Sequence, residues 1–312
     1  VSKEIIVFLT NHLGVQGSFL NHLDLQQYLK DKEDYSVKFY CENIENLVSV
    51  IHDSRRKYTF DKSELFETGD EIVEPEVVIT DFKSFLTLSQ NGVFVICRKL
   101  IVMDSVELTY HLKNITNARF YYEVNMEKVL RSYYCNDIVF LMPPSNYYLF
   151  KEKYPDLHCE IFFKKINTDV LSTMKFENRD GYFCRWDDNK DYKRLVAEKF
   201  GDNVFCFEPE WKMRKGMKIP LKYNEIDHIF DYKSFIYRRR KYLEYQEQFG
   251  RLVFEYILLG KSVYFMDEPF QDDCLTDYLK HYNIQFNKNK IITTAQELQS
   301  KMGRYEYEPW NL

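Results

Sequence analysis

Residues 247–265 read EQFGRLVFEYILLGKSVYF. From Gln248 to Leu259 apolar residues recur at helical spacing, Gly260 ends the run, and Ser262 to Met266 has the β-branched and aromatic content of a short buried strand. A helix that feeds directly into such a strand is the repeating step of an α/β fold. Packing does not explain the polar front of this helix. Glu247 and Glu255 stand about two helical turns apart and so share a side. Between them Gly250 permits close backbone approach, and Arg251 offers a planar fork of donors suited to phosphate oxygens. A helix N-terminus adds unpaired N–H groups and partial positive charge. Taken alone, the stretch is equally an amphipathic helix whose Glu and Arg make solvated or i,i+4 contacts.

Working outward, short apolar runs alternate with helical segments on both sides. Strands are predicted near Ile5–Leu9, Val37–Cys41, Val77–Ile79, Gly92–Cys97 or Lys99–Met103, Asp137–Leu141 and Glu160–Lys164. The loop HLGVQG, with Gly14 and Gly17, leads into a helix whose Phe19, Leu23, Leu25 and Leu29 share one broad face. Over residues 166–180 the chain turns polar and loses its period. A second alternating series follows, with strands at Tyr182–Arg185, Val204–Glu208, Ile229–Tyr237, Ser262–Met266 and Lys290–Ile292. Helices are predicted at 192–200, 248–259, 275–281 and 295–302. The resulting expectation is α/β with two Rossmann-like domains, 1–168 and 169–312, facing each other across a cleft, the final helix packing back on the first domain.

Composition narrows the class. The chain has 312 residues, 45% hydrophobic and 29% charged, with a formal net charge of −5. That balance provides no global attraction to nucleic acid, although Arg55–Lys57 and Arg238–Lys241 could form a basic patch or a solvated face. No apolar run approaches the ~20 residues of a membrane span, and VSKEIIVFLT reads as a first strand rather than a signal peptide, so a cytoplasmic protein is expected. Seven cysteines without CxxC pairs or metal-ligand spacing suggest buried thiols rather than a disulfide framework or structural zinc. Aromatic residues make up 17% of the chain, which implies densely packed aromatic layers.

The pattern Glu247, seven residues, Glu255, with Gly250 and Arg251 inside it, resembles the donor-binding signature of retaining GT-B glycosyltransferases. Arg185 and Lys190 in CRWDDNK, after the first strand of the second half, are similar to that family's diphosphate-holding arginine and lysine, and LTNHLGVQGSFLNHLDL is similar to its glycine loop and first helix. The resemblance implies a donor site in which Glu255 binds ribose, Glu247 the sugar hydroxyls, and Arg185, Lys190 and Arg251 the diphosphate, with Gln248 and Gly250 alongside. Gly14 and Gly17 would bring backbone to the reaction centre. The chain departs from the family at Cys184, where glycine is usual, and at Gln248 and Phe249, where small residues are common.

The implied donor is a nucleoside diphosphate sugar, UDP-linked above all, and no metal or other cofactor is required. On the acceptor side Asp104, in IVMDSVELTYHL, is placed either as a catalytic base or as the cap of the next helix. It resembles an aspartate of phage DNA glucosyltransferases, which makes hydroxymethylcytosine in double-stranded DNA one acceptor and a glycan or lipid precursor another. His111 and His12 are expected to be structural, and the adjacent acids Asp187–Asp188 and Asp272–Asp273 solvated. A non-catalytic nucleotide-sugar or nucleic-acid binding module, or a sugar-nucleotide epimerase, would share the same architecture.

Overall fold

The computed structural model describes residues 4–10, 17–32, 34–41, 44–45, 48, 55–59, 61, 64–67, 75–116, 123–184, 196, 198–201, 204–206, 228–239, 249–303, 305 and 307–311. Its first seven strands are β1 (Glu4–Thr10), β2 (Tyr35–Cys41), β3 (Leu65–Glu67), β4 (Val77–Asp81), β5 (Val95–Met103), β6 (Tyr133–Met142) and β7 (Cys159–Ile161). They form one sheet in the order β3-β2-β1-β4-β5-β6-β7, every described pair parallel. The two alternative strands over 92–103 are one strand, β5, and β3 was not anticipated, because three residues carry too little periodicity to register.

Parallel strands need both faces covered, and the alternation along each strand supplies the two faces. Ile6, Phe8, Val77, Ile79, Ile101, Met103, Val139 and Leu141 pack to one side, with α1 (Gly17–Lys30) over them. Val7, Val78, Leu100, Val102, Phe140 and Met142 pack to the other. There they meet α2 (Phe82–Gln90), α3 (Val106–Leu112), α4 (Met126–Leu130) and α5 (Pro144–Lys153). Asp81 caps α2, its side chain accepting from the Ser84 N–H.

A short helix, α6 (Thr168–Ser172), lies between the two sheets in sequence. The second sheet comprises β8 (Arg179–Cys184), β9 (Val204–Cys206), β10 (Tyr232–Tyr237), β11 (Ser262–Phe265), β12 (Phe286–Asn287) and β13 (Lys290–Ile291), in the order β12-β13-β11-β10-β8-β9. The four strands from β9 to β11 are parallel, and a two-strand antiparallel hairpin extends the edge. Helices α7 (Arg251–Leu258), α8 (Cys274–His281) and α9 (Ala295–Met302) cover one face through Val253, Phe254, Ile257, Leu275, Leu279 and Leu298. The predicted helix over 192–200 falls largely outside the described residues.

Helix α9 packs on the second sheet's core through Leu298 and Met302. It is the segment after it that crosses to the first sheet. Trp310 is fully buried in the core beneath α1, and Tyr305 stacks on Phe162 at 5.4 Å. Tyr28 and Lys32 both donate to Glu308.

The cysteines correct one expectation. Cys41, Cys97, Cys135, Cys159 and Cys274 are free thiols, but Cys184 is disulfide-bonded. In the backbone register of β8 and β9, Cys184 stands opposite Cys206.

Candidate functional site

Helix α1 was expected to bury one face, yet it is buried almost all round, polar residues included: Asn21 is 6% exposed and Asp24 3%. One side lies on the first sheet. The other meets α7 of the second sheet, and there the polar residues find partners. Arg251, the first residue of α7, donates from Nε to Glu255 Oε1 at 2.7 Å, from Nη1 to Asn21 Oδ1 at 2.8 Å and from Nη2 to Asp24 Oδ2 at 2.5 Å. Arg56 Nη2 lies 3.1 Å from the same Glu255 oxygen, and its guanidinium sits over the Phe230 ring. Tyr58 donates to Asp24 Oδ1 at 2.8 Å.

Two guanidinium groups and two carboxylates thus neutralise one another where water is excluded. Burial pushes the Asp24 carboxyl above its ordinary range even against the pull of Arg251. Burial would lower Arg251, but Asp24 and Glu255 outweigh it and hold the guanidinium charged. Tyr58 is pushed well up by burial and then by Asp24, so it donates as a neutral phenol.

The front of α7 depends on its glycine. Gly250 is the N-cap residue with φ of 63°, in the left-handed region that favours glycine, and a Cβ there would meet Leu275 Cδ1 at 2.5 Å. No side chain caps α7 at that position; the Val253 N–H donates to the Gly250 carbonyl at 2.8 Å, and Gly250 and Arg251 are both buried. In the second sheet β8 lies between β10 and β9, so its carboxyl end, at Cys184, is the point where the strand order reverses and where open α/β sheets bind ligands. Arg185 and Lys190 follow Cys184 in sequence. Both lie outside the described residues, as do Glu247, Gln248, Gly14 and His12. Gly17 opens α1.

At the carboxyl edge of the first sheet, Asp104 is not a helix cap. Ser105 occupies the N-cap position of α3 and makes no capping bond, and its hydroxyl donates instead to Glu107. Asp104 is 2% exposed and takes Lys164 Nζ on Oδ1 at 2.6 Å, while the same ammonium donates to the Asp104 carbonyl at 2.7 Å. Asp104 Oδ2 has no hydrogen-bond partner among the described residues. Lys164 is itself held between the sheets: its N–H donates to Tyr278 Oη on α8 and its carbonyl accepts from Tyr282 Oη at the C-cap of the same helix. Lys164 carried no sequence signal beyond its place in the run EIFFKK, residues 160–165.

His111 is structural, bonded through Nε2 to Tyr154, and burial followed by the Lys153 charge lowers its pKa to about 4. The basic runs turn inward rather than forming a patch among the described residues. Arg55 pairs with Asp231, Arg56 joins the cluster, and Arg239 is 6% exposed and bound to Asp273. Asp273, expected to be a solvated turn residue, also caps α8 through the Thr276 N–H. A small cleft of about 80 Å³ lies beside Asp24, lined also by Tyr28, Lys165, Asn167 and Tyr305, far below the roughly 300 Å³ at which small-molecule sites begin. No helix among the described residues is long and apolar enough to cross a membrane, and no three metal-ligating side chains gather among them.

No protein-family model matches the chain, and no curated protein matches it significantly. Among solved structures it is similar to the sucrose-phosphate synthase of Thermosynechococcus elongatus at 10% identity and a TM-score of 0.43, over 84% of this chain and 81% of that one. No role is carried over from it.

Proposed function

We propose that this chain is a glycosyltransferase that moves a sugar from a nucleoside diphosphate sugar to an acceptor hydroxyl, built as two Rossmann-like domains, 1–168 and 169–312. The observation that carries the reading is the meeting of two motifs. The helix after the glycine loop and the helix inside the Glu-x7-Glu stretch are joined by Arg251 to Asn21, 230 positions apart in sequence, at 2.8 Å. Each motif is weak alone, and their contact is what a donor site shared by two halves requires.

In this reading the diphosphate lies toward the positive end of α7, with Arg185 and Lys190 as its cationic partners. Glu247 and Gln248 reach the sugar, and the loop bearing Gly14 and Gly17 lines the opposite wall, while Glu255, buried and held by Arg251 and Arg56, serves the ion cluster behind the site and not the ribose. Arg251 supports the site by fixing α7 against α1, since its three donor nitrogens are already engaged. UDP is the first nucleotide to test. Retention of configuration follows from front-face attack, in which the leaving diphosphate helps take the acceptor proton. Asp104 is the base of this reading: Lys164 holds one oxygen, and the other, buried and without a partner among the described residues, would have to be uncovered for an acceptor to reach it.

The test is a panel of nucleoside diphosphate sugars, read by mass spectrometry for released nucleoside diphosphate, with and without acceptors that include DNA carrying 5-hydroxymethylcytosine. Release that depends on an acceptor supports transfer and names the acceptor class. Tight donor binding without turnover would make the chain a binding module, and absence of binding by every donor sinks the proposal.

A further inference from the structure

The first sheet holds a second in-register cysteine pair on parallel neighbours. Cys97 on β5 stands opposite Cys135 on β6, and their sulfurs are 3.1 Å apart with both thiols free. In-register neighbours place their Cα atoms at about 4.8 Å, inside the disulfide range of 4.4–6.8 Å, so closing to a bond of about 2.05 Å asks for roughly 1 Å of side-chain movement. Two thiolates sharing one tetrahedral zinc would sit roughly 3.7 Å apart, and the described residues offer no third ligand, so the geometry favours sulfur–sulfur chemistry over a metal.

We propose that Cys97 and Cys135 form a reversible dithiol–disulfide site that hydroperoxides oxidise. Cys97 is 7% exposed and packs in the core, whereas Cys135 is half-buried and open to a small oxidant. The contact between the sulfurs divides their roles: the hydrogen bond with Cys97 holds the Cys135 thiol below its ordinary range, while the same bond and then burial push Cys97 up. Cys135 thiolate attacks the peroxide oxygen, the O–O bond breaks, and the leaving hydroxide takes a proton to become water. The Cys97 sulfur then attacks the sulfenic sulfur, an S–S bond forms, and the displaced hydroxide takes the Cys97 proton to leave as a second water. Two thiols lose two electrons and two protons in total, one peroxide accepts them, and a dithiol reductant reverses the change.

The pair lies in the amino-terminal halves of β5 and β6, so this site stands apart from the proposed donor site. To test it, the full chain is treated with hydrogen peroxide, remaining thiols are blocked with N-ethylmaleimide, and the protein is digested with trypsin. The expected product is a disulfide joining peptide 84–98 to peptide 132–151, gone after dithiothreitol. Cys97→Ser should instead leave a dimedone-reactive sulfenic acid at Cys135. Recovery of both cysteines as maleimide adducts while other free thiols oxidise would overturn the proposal, as would direct passage of Cys135 to sulfinic acid in the native chain. The wild-type map decides the matter even where a serine variant fails to fold.

Discussion

Replacing Arg251 with alanine removes the one group that ties α7 to both Asp24 and Asn21 of α1. The cluster is balanced as it stands, with Arg56 and Arg251 facing Asp24 and Glu255. Without Arg251 a buried negative charge is left over, and Asp24 keeps the Tyr58 hydroxyl and the more distant charge of Arg56. Removing one partner of a buried ion pair costs about 3–5 kcal/mol, most of it the unpaired charge that stays behind. For a chain of this size that corresponds to a fall in Tm of roughly 6–15 °C, provided unfolding is a single transition.

The pH dependence has a definite sign. Asp24 is already raised in the folded state, so its folded form favours the proton more than its unfolded form does. Its contribution to stability is therefore greatest below the unfolded pKa and is lost as pH rises through the folded one. Losing Arg251 raises that folded pKa further, so the deficit of Arg251→Ala relative to wild type should widen toward neutral pH and narrow in acid. Adding Asp24→Asn to Arg251→Ala should recover on the order of 1–3 kcal/mol as a coupling term. Urea denaturation of the four members of this cycle, at acid and neutral pH, measures all three quantities. A loss below about 1 kcal/mol, or additive single effects, would refute the assignment of Arg251 to an inter-helix ion cluster.

Further predictions concern the neighbouring groups. Gly250→Ala forces a side chain into the left-handed region and toward Leu275, and should lower stability by about 1–2 kcal/mol, readable as a shifted urea midpoint with an unchanged slope. Asp104→Asn keeps the shape but removes the base, and on the proposed function should lower transfer by roughly 10²–10⁴-fold while donor binding by calorimetry stays the same. His111, neutral when folded with its pKa lowered from 6.5 to about 4, supports stability that is full above pH 6.5 and declines as pH falls toward 4. The decline should be on the order of 2 kcal/mol after allowing for solvent screening, and His111→Gln should flatten that limb of the pH–stability curve.

The alternation of apolar runs with helical segments was enough to reveal the α/β class, because strands buried on both faces are continuous apolar runs whatever their neighbours. Two short elements were missed: β3 and β12 have too few residues to show a period, whereas the equally short β7, β9 and β13 fall inside longer apolar runs. The sequence also marked Gly250, Arg251 and Glu255 as out of place on a packing helix. It could not say what they touch. Asn21 and Asp24 drew no reading of their own, since a helix's pattern records which face is apolar and not what polar partner covers the rest. Only the tertiary structure brings Arg56, Tyr58 and Arg251 onto that side, because long-range electrostatic pairing leaves no local periodicity in a chain. The same holds for Lys164 against Asp104, and for Cys97 against Cys135, where strand register alone sets the distance.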